Sequence, residues 1–411
     1  MAEAIETVVV GGGQSGLAMS YCLTQRRREH VVLEQGRLSE RWRSQRWDSL
    51  RFQFPRWSMQ LPGYQYQGDE PDGFASRDEV VRFFEGYAAS FEAPLRCGVR
   101  VHHIEHRADS GRFLVETDAG SVDARNVVLA TGVWQDPIVP PFSAALPSRL
   151  AQVHSSDYRN PSQLPPGAVL IVGSAASGCQ IAEDLLADGR RVLLSVGTHN
   201  RVPRRYRRQD FTWWGFTMGR YDVTVDRRPP GRFNPLLTGV GGGHTIDLRR
   251  LAGDGVTLLG RILDVSDGVL HLAPDLQESL VRADESLVRF TQAVDEHVRQ
   301  HGLAVPEEPE SEHISDPPEA IAPLGNVDLL EAGISAVVWA TGYRGPDFRW
   351  LRLPIVDGRG EPIHQRGVTA LPGFYFLGLQ WQHKLKSAFL WGVGEDAEYL
   401  AAQIVARSAL E

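Results

Sequence analysis

The chain contains few cysteines and almost no lysine. Its three cysteines, Cys22, Cys97 and Cys179, form neither a C-x-x-C pair nor the spacing of a metal site. This pattern argues against a disulfide reductase and favours the reducing cytoplasm as the setting. Lysine occurs only at Lys384 and Lys386, so the other 41 of the 43 basic residues are arginines. That bias alone indicates no function.

Long apolar runs and clusters of metal-ligating residues are also absent from the sequence. Without an apolar stretch of transmembrane length we expect no membrane contact, and a first strand beginning by Thr7 leaves no room for a signal peptide. A net charge of −8 gives no reason to expect a nucleic-acid partner. The 411 residues, 42% of them hydrophobic, suffice for two good-sized cores.

Glycine is abundant, and one glycine-rich segment has the spacing G-x-G-x-x-G. The apolar run Val8–Val10 predicts a buried parallel strand, and Gly11, Gly13 and Gly16 follow it. In this motif the first glycine makes a tight turn, the second lets the backbone approach a pyrophosphate, and the third lets the next helix pack on the strand. A second predicted strand ends in Glu34, about 20 residues on, where a carboxylate binds the ribose hydroxyls of a dinucleotide.

A second glycine-rich segment occurs about 160 residues later. It contains Gly173 and Gly178, with Ala175 in place of the middle glycine. Overlaying the two segments places Ser195 where Glu34 stands in the first, and a hydroxyl there does not repel a 2′-phosphate. An arginine-rich stretch follows, and Arg201 is our candidate for binding that phosphate, because the guanidinium fork binds oxygens bidentately. We therefore read the second nucleotide as NADP(H).

Two copies of Ala-Thr-Gly, at 130–132 and 340–342, each follow a predicted buried strand. Small residues there allow close passage of a cofactor or a crossing between domains. With the Pro-rich segments as boundaries, we predict an α/β fold of two three-layer, Rossmann-like dinucleotide-binding domains. Residues 1–160 and 323–411 form an FAD domain into which an NADP domain, 161–322, is inserted.

Taken together, these motifs resemble the class B flavin-dependent monooxygenases, in particular the single-component flavin-containing monooxygenases and YUCCA enzymes. The family fingerprint is F-x-G-x-x-x-H-x-x-x-F/Y; His154 and Tyr158 fit it, whereas Ser148 and Leu150 replace the expected Phe and Gly. The related Baeyer–Villiger enzymes have H-x-x-x-W-P, and here Pro161 comes after Tyr-Arg-Asn, which weakens that reading.

The resemblance implies two cofactors, FAD and NADPH, and a set of residues that contact them. The candidates are Gly11, Gly13, Gln14, Ser15, Gly16, Glu34, Gln35, Arg41, Trp42, Val101, Ala130, Thr131, Gly132, Gly173, Ala175, Ser177, Gly178, Ser195, Arg201, Ala340, Thr341 and Gly342. Gln53 aligns with the family's flavin-facing Asn and is a catalytic candidate. His154 is a second candidate, as a general base, although the fingerprint favours its shaping the linker between domains.

The implied reaction inserts one oxygen atom from dioxygen into a small organic substrate through a C4a-(hydro)peroxyflavin. N- or S-oxygenation, N-hydroxylation and oxidative decarboxylation all stay open. The alternatives are an NADPH-dependent oxidoreductase or oxidase without oxygenation, a Baeyer–Villiger monooxygenase, and a flavin-bearing binding protein. We expect an apolar or aromatic pocket from residues predicted to bracket the flavin: Trp47, Phe52, Phe54, Trp57, Trp381, Phe389 and Trp391. A homodimer is expected by analogy only.

Overall fold

The computed structural model describes residues 2–231, 235–307, 321 and 324–409. Strands of three or more residues are β1 (Glu3–Val10), β2 (His30–Glu34), β3 (Leu95–Cys97), β4 (Val101–Arg107), β5 (Arg112–Thr117), β6 (Gly120–Leu129), β7 (Ala151–His154), β8 (Ala168–Val172), β9 (Val192–Ser195), β10 (Thr257–Leu259), β11 (Ile262–Ser266), β12 (Val269–Leu272), β13 (Asn326–Asp328), β14 (Ile334–Trp339) and β15 (Phe374–Phe376). The α-helices are α1 (Gln14–Gln25), α2 (Glu40–Ser44), α3 (Arg77–Ser90), α4 (Ala176–Ala187), α5 (Phe211–Thr217), α6 (Leu248–Gly253), α7 (Leu276–His301) and α8 (Val393–Ser408).

The first sheet has the strand order β3-β2-β1-β6-β5-β4, and β15 pairs with the end of β6. Strands β3, β2, β1, β6 and β15 run parallel. Side chains alternate across β1: Val9 packs under α1, α3 and α8, whereas Val8 and Val10 pack with the antiparallel strands on the other face. Burial on both faces explains why this strand is a continuous apolar run.

The second sheet, β7-β14-β8-β9-β10, is parallel throughout. Val169 and Ile171 face the core under α4 and α6. Leu170 and Val172 face the opposite way, toward the small antiparallel sheet β11-β12-β13. Each unit is thus a parallel sheet with helices on one face and antiparallel strands on the other, as the α/β prediction of two Rossmann-like folds requires.

The predicted domain boundaries need correction. Both β7 and β14 belong to the second sheet, because they pair with each other and β14 pairs with β8. The predicted boundaries place these strands in the first domain, whereas the strands of the second sheet extend from 151 to 339 instead of lying within 161–322. The predicted boundary at 322–323 lies outside the described residues. This membership cannot be read from the sequence, because an apolar strand at a domain crossing has the same pattern whichever sheet it joins.

The segment Trp213–Phe216 lies in helix α5. Trp214 is fully buried and donates its indole N–H to the carbonyl of Tyr206, 2.9 Å away. The Asp210 carboxylate caps the helix through the N–H of Thr212. Aromatic residues have a low helix propensity, and here their packing outweighs it.

Candidate cofactor and active site

The first glycine turn has the geometry that its spacing predicts. Gly11 has a φ of +109°, and a Cβ on it would lie 2.6 Å from the carbonyl oxygen of Ala130. A Cβ on Gly16 would overlap the carbonyl oxygen of Gly11. Gly13 differs, because its φ is −84° and a Cβ there would meet no atom within 4 Å. That open space lies at the N-terminus of α1, where a pyrophosphate binds free backbone N–H groups.

Helices α1 and α4 begin without a side-chain cap, whereas α3, α5 and α6 each have one. Ser76 and Glu79 form a complete capping box on α3, whereas Gly13 gives α1 no side-chain cap and Ala175 gives α4 none. In the part of the chain that the structure describes, no side chain accepts the first-turn N–H groups of α1 and α4. Both helices suit an anion at the N-terminus.

Glu34 closes the first turn from the end of β2. Its carboxylate accepts the N–H of Gly12 at 2.7 Å and the N–H of Gly36 at 2.9 Å. The N–H of Val99 donates to the carbonyl of Glu34, so the start of β4, with Val101, lies beside it. The exposed Gln35 amide accepts from Arg100 at 3.3 Å. These residues form the edge at which the sequence places the adenosine ribose.

The neighbouring candidates of the first site lie around α1 and α2. Gln14 donates to the carbonyl of Ala388 at 2.6 Å. Ser15 is buried against Gly378, where no side chain fits. Arg41, on α2 with Trp42, is half-buried, and its guanidinium has no hydrogen bond or ion pair within the described residues. Burial lowers the pKa of the Arg41 guanidinium, as expected for a cation left for an anionic ligand.

The second glycine turn repeats the first. Gly173 has a φ of +106°, with the site of a Cβ 2.5 Å from the carbonyl oxygen of Ala340, and a Cβ on Gly178 would overlap the Gly173 carbonyl oxygen. Ala175 has a φ of −73°, an ordinary conformation for any residue. Its methyl group therefore causes no backbone strain, and Ser177 follows in the first turn of α4. The departure from the consensus leaves the turn intact.

The alignment of Ser195 with Glu34 was wrong by one residue. Strand register pairs Val10 with Leu33 and Val172 with Ser195, so Ser195 is the counterpart of Leu33. Its buried hydroxyl donates to the carbonyl of Gly260 at 3.0 Å, away from the glycine turn. The counterpart of Glu34 is Val196, which is fully buried. A constant offset of 162 residues between the units, visible in the sequence, gives this match.

Arg201 is not available for a phosphate. It is buried, and its guanidinium pairs with Asp247 at 2.6 Å and with Asp284 at 2.9 Å. Arg249 pairs with the same Asp284 at 2.8 Å. The prediction failed because the acidic partners lie 46 and 83 residues away in sequence, and only folding brings them to the arginine.

The two Ala-Thr-Gly copies lie together where the chain crosses between the sheets. The N–H of Ile138, after the first copy, donates to the carbonyl of Gly342 at 2.9 Å. The hydroxyl of Thr341 donates to the carbonyl of Ile138. Antiparallel pairing of Asp136–Pro137 with Tyr343–Arg344 extends this contact.

Two further short antiparallel pairs lie elsewhere in the chain. They join Gln60–Leu61 to Tyr64–Gln65 and Arg205–Tyr206 to Gln209–Asp210.

His154 and Tyr158 act as structural contacts at this crossing. The Nδ1 of His154 accepts the N–H of Ser156 at 3.1 Å, and its Nε2 lies 3.2 Å from the carbonyl of Gly342, to which it donates. Burial lowers the pKa of His154, so the neutral ring satisfies both contacts. The hydroxyl of Tyr158 donates to Asp184 on α4 at 2.6 Å. Neither nitrogen of His154 is left to act as a general base in this arrangement.

Gln53 is half-buried on the first domain, and its side-chain amide has no hydrogen bond within the described residues. Its backbone carbonyl accepts from Arg204 at 2.7 Å. The Arg204 guanidinium is fully buried, pairs with Asp210 at 2.6 Å and lies 4.5 Å from the ring centroid of Phe74. The second unit is thus anchored beside Gln53, which leaves the Gln53 amide open to a ligand.

An aromatic cluster lies between the units. Its members come from the first domain, the inserted segment and the region before α8, and their ring centroids lie 4.9–6.0 Å apart in successive contacts: Phe54, Trp57, Phe216, Tyr221, Phe389 and Trp391. Phe52 contacts Phe54. Trp47 packs instead in the core of the second unit, and Trp381 stacks with Arg228. The indole N–H of Trp391 is buried and lacks a partner within the described residues.

Both lysines of the chain fasten the inserted segment beside this cluster. The ammonium groups of Lys384 and Lys386 each contact Asp222 at 2.8–2.9 Å and Glu395 at 2.5–2.9 Å. Glu395 lies in the first turn of α8, and Leu385 donates its N–H to the carbonyl of Val223. Two cations and two anions thus balance where the inserted segment meets the first domain.

Two kinds of site are missing from the residues that the structure describes. Within 2–231, 235–307, 321 and 324–409, no group of three or more His, Cys, Asp or Glu side chains is arranged to hold a metal ion. In the same part of the chain no helix is long and apolar enough to cross a membrane. All three cysteines are free.

Comparison with known proteins agrees with this geometry. Residues 8–209 match the family described as "Pyridine nucleotide-disulphide oxidoreductase". The chain is 34% identical to an uncharacterized CzcO-like oxidoreductase of Geobacillus kaustophilus, over 98% of this chain and 99% of the relative. It is 33% identical to the indole-3-pyruvate monooxygenase YUCCA1 of Oryza sativa, over 48% of this chain and 49% of that protein.

A solved flavin-containing monooxygenase from Stenotrophomonas maltophilia superposes with a TM-score of 0.67 and 21% identity, covering 99% of each chain. The chain belongs to the class B flavin-dependent monooxygenases. As a monooxygenase of this class it is an enzyme, and each of its two glycine turns lies beside an Ala-Thr-Gly segment. The CzcO-like relative, similar over nearly the whole length, has no stated substrate.

Proposed function

We propose that the protein is an FAD- and NADPH-dependent monooxygenase that transfers one oxygen atom of dioxygen to a small apolar or aromatic substrate. The observation that carries this is the pairing of two complete glycine turns in one chain, with the aromatic cluster between their domains. FAD would supply the oxygen chemistry when it is bound, and the protein would supply orientation, electrostatics and exclusion of water.

The residues present fit FAD at the first turn. Open space beside Gly13, uncapped N–H groups on α1 and the unpaired cation of Arg41 suit a pyrophosphate. The carboxylate of Glu34 is placed to bind ribose hydroxyls. The second turn offers the same backbone to a nicotinamide dinucleotide. Gln53 would hold a polar group at the reaction centre through its unpartnered side-chain amide.

The aromatic cluster supports the substrate class. Rings from three chain segments form an apolar surface, and the unpartnered N–H of Trp391 offers one hydrogen-bond donor within it. A substrate site lined by these rings would select by shape and by a few polar contacts. N- or S-oxygenation, N-hydroxylation and oxidative decarboxylation are the candidate reactions. We further propose that the enzyme works in the cytoplasm, consistent with its three free cysteines, and the homodimer stays a prediction.

Stopped-flow absorbance tests the proposal. Anaerobic NADPH should bleach the yellow holoenzyme, and air-saturated buffer should then give a transient flavin spectrum, distinct from the oxidised and reduced forms, that persists for seconds. Immediate return to oxidised flavin with stoichiometric hydrogen peroxide would instead indicate an oxidase. A yellow protein that no nicotinamide cofactor bleaches would contradict the proposal.

A further inference from the structure

One stretch of the inserted segment contributes Tyr221 to the aromatic cluster but has almost no core of its own. This stretch, residues 220–228, contains two short turns and is called the strap here. Tyr221 is its only buried residue, and Val225 is 47% exposed. A segment with so few buried apolar contacts opens locally at a low cost in free energy unless polar contacts hold it.

Tyr221 covers one side of the aromatic cluster. Its ring centroid lies 5.3 Å from that of Trp391, 5.0 Å from that of Phe216 and 6.0 Å from that of Phe389. Gly215 leaves space for this ring, because a Cβ there would lie 2.4 Å from a carbon of the Tyr221 ring. Movement of Tyr221 away from Trp391 would therefore open the cluster to water.

Two backbone hydrogen bonds join the strap to the segment before α8. The N–H of Val225 donates to the carbonyl of His383 at 2.9 Å, and the N–H of Leu385 donates to the carbonyl of Val223 at 3.0 Å. They form an isolated antiparallel bridge rather than a longer ladder. The side chains beside this bridge therefore decide whether the strap stays closed.

Four charged side chains surround the bridge. Asp222, on the strap, contacts the ammonium groups of Lys384 at 2.9 Å and Lys386 at 2.8 Å, and both lysines also contact Glu395. The side chain of Lys386 is 11% exposed and that of Lys384 is 23% exposed. An ion pair that water screens less stabilises more, and losing one partner of it costs more. Lys386 is therefore the more important cation of the two.

The turn that carries Lys386 is itself fixed to helix α1. Residues 385–388 form a 3-10 turn, and the carbonyl of Ala388 accepts the side-chain amide of Gln14 at 2.6 Å. Gln14 is the first residue of α1, at the first glycine turn. A Cβ on Gly392 would lie 2.0 Å from the carbonyl oxygen of Lys386, so the start of α8 also packs tightly on this turn. Lys386 thus reaches the strap from a fixed position beside a nucleotide site.

We propose that Lys386 is a positioning residue: through Asp222 it holds Tyr221 against Trp391, and so closes the substrate site at the aromatic cluster against water. Exclusion of water strengthens the polar interactions inside such a site and prevents side reactions. This inference rests on the proposed function, because it assigns the contact that keeps that same site closed.

Hydrogen exchange of the FAD holoenzyme, followed by mass spectrometry, tests the positioning role without turnover. In Lys386→Met, peptides covering 221–228 and 383–388 should exchange at least about tenfold faster than in the unmodified protein, because the strap opens more often. Lys386→Arg keeps the cation and should restore slow exchange. Exchange at the unmodified rate in Lys386→Met would overturn the proposal.

Lys384→Met is the matched control, because it removes the more exposed cation that contacts the same two carboxylates. We expect it to change exchange by less than about threefold, and an equal increase in both lysine variants would overturn the assignment to Lys386. Asp222→Asn tests the contact from the strap, where the side chain is 52% exposed and the fold is not at risk. It should accelerate exchange of the same two peptides, and unchanged exchange would contradict the role of Asp222.

Stopped-flow absorbance then tests the exclusion of water. The transient flavin spectrum should decay at least about threefold faster in Lys386→Met and at the unmodified rate in Lys386→Arg. Faster hydrogen exchange with an unchanged decay would overturn the link between closure and water. If the unmodified enzyme forms no transient spectrum, the proposed function fails, and the exchange experiment still decides whether Lys386 holds the strap.

Discussion

The two glycine-rich units align residue for residue at an offset of 162 yet close their turns with different groups. In the first, the Glu34 carboxylate reaches across to the N–H of Gly12. In the second unit, Ser174 stands at the position of Gly12, and the side chain that closes the turn is its own. The Ser174 hydroxyl accepts the N–H of Gly197 at 3.1 Å. The comparison teaches that a Rossmann-like turn needs its glycines for backbone geometry, whereas the charge beside it is free to change.

The largest effect should come from the third glycine of each unit. Gly16→Ala and Gly178→Ala each place a Cβ onto a backbone carbonyl oxygen, so we expect a loss of about 3 kcal/mol in the free energy of unfolding and weak FAD retention in the first case. Urea unfolding followed by tryptophan and flavin fluorescence measures both. Gly13→Ala, with nothing within 4 Å, is the matched control and should cost below ~1 kcal/mol. Equal losses at Gly13 and Gly16 would refute the backbone argument.

The charge difference predicts that removing the acid from the first unit and adding an acid to the second each weaken nucleotide binding. Glu34→Gln removes a carboxylate that binds two backbone N–H groups, and we expect FAD affinity to fall about ten- to a hundredfold, from about 1.5–3 kcal/mol for charged hydrogen bonds. Val196→Glu should weaken NADP⁺ more than NAD⁺ at the second site. Fluorescence titration of apoprotein with FAD and calorimetry with the dinucleotides measure these changes. A Val196→Glu variant that weakens both dinucleotides equally would show that position 196 does not face the ribose.

The histidine that joins the two units makes stability depend on pH. Because burial lowers the pKa of His154, the unfolded chain binds a proton below about pH 6.5 while the folded one does not. The free energy of unfolding therefore falls as pH drops from about 6.5, by up to about 1.4 kcal/mol per pH unit for this group. Urea unfolding at pH 7.5 and 5.5 should show a smaller pH effect in His154→Gln than in the unmodified protein. The same pH effect in both would rule out this contribution.

The smallest effect should come from restoring the consensus glycine. Ala175→Gly changes a residue with an ordinary φ, so we expect less than about a threefold change in dinucleotide affinity. Glycine gives the unfolded chain more conformational freedom, which lowers stability, but it is the better N-cap, which raises stability. These opposing effects should leave the free energy of unfolding within a few tenths of a kcal/mol of its original value. Calorimetry with NADP⁺ measures it. A tenfold gain in affinity would show that the methyl group obstructs the phosphate.

Local patterns predicted what depends on neighbouring residues. Strand β2 ends at Glu34, as the sequence predicts, because apolar periodicity and glycine spacing are local signals. The tight turns at Gly11 and Gly173 likewise follow from spacing alone. The constant offset of 162 residues between the units can also be read from the sequence, and it pairs Glu34 with Val196.

The two dinucleotide turns on parallel strands follow from local sequence, because a glycine motif and its flanking strand lie within a few tens of residues. Folding was needed to show which sheet β7 and β14 join, that Asp247 and Asp284 withdraw Arg201 from any phosphate, and that both nitrogens of His154 are used at the crossing. Those outcomes depend on residues brought together from 46 to 188 positions apart. Charges, unlike backbone turns, acquire their role only from the partners that folding supplies.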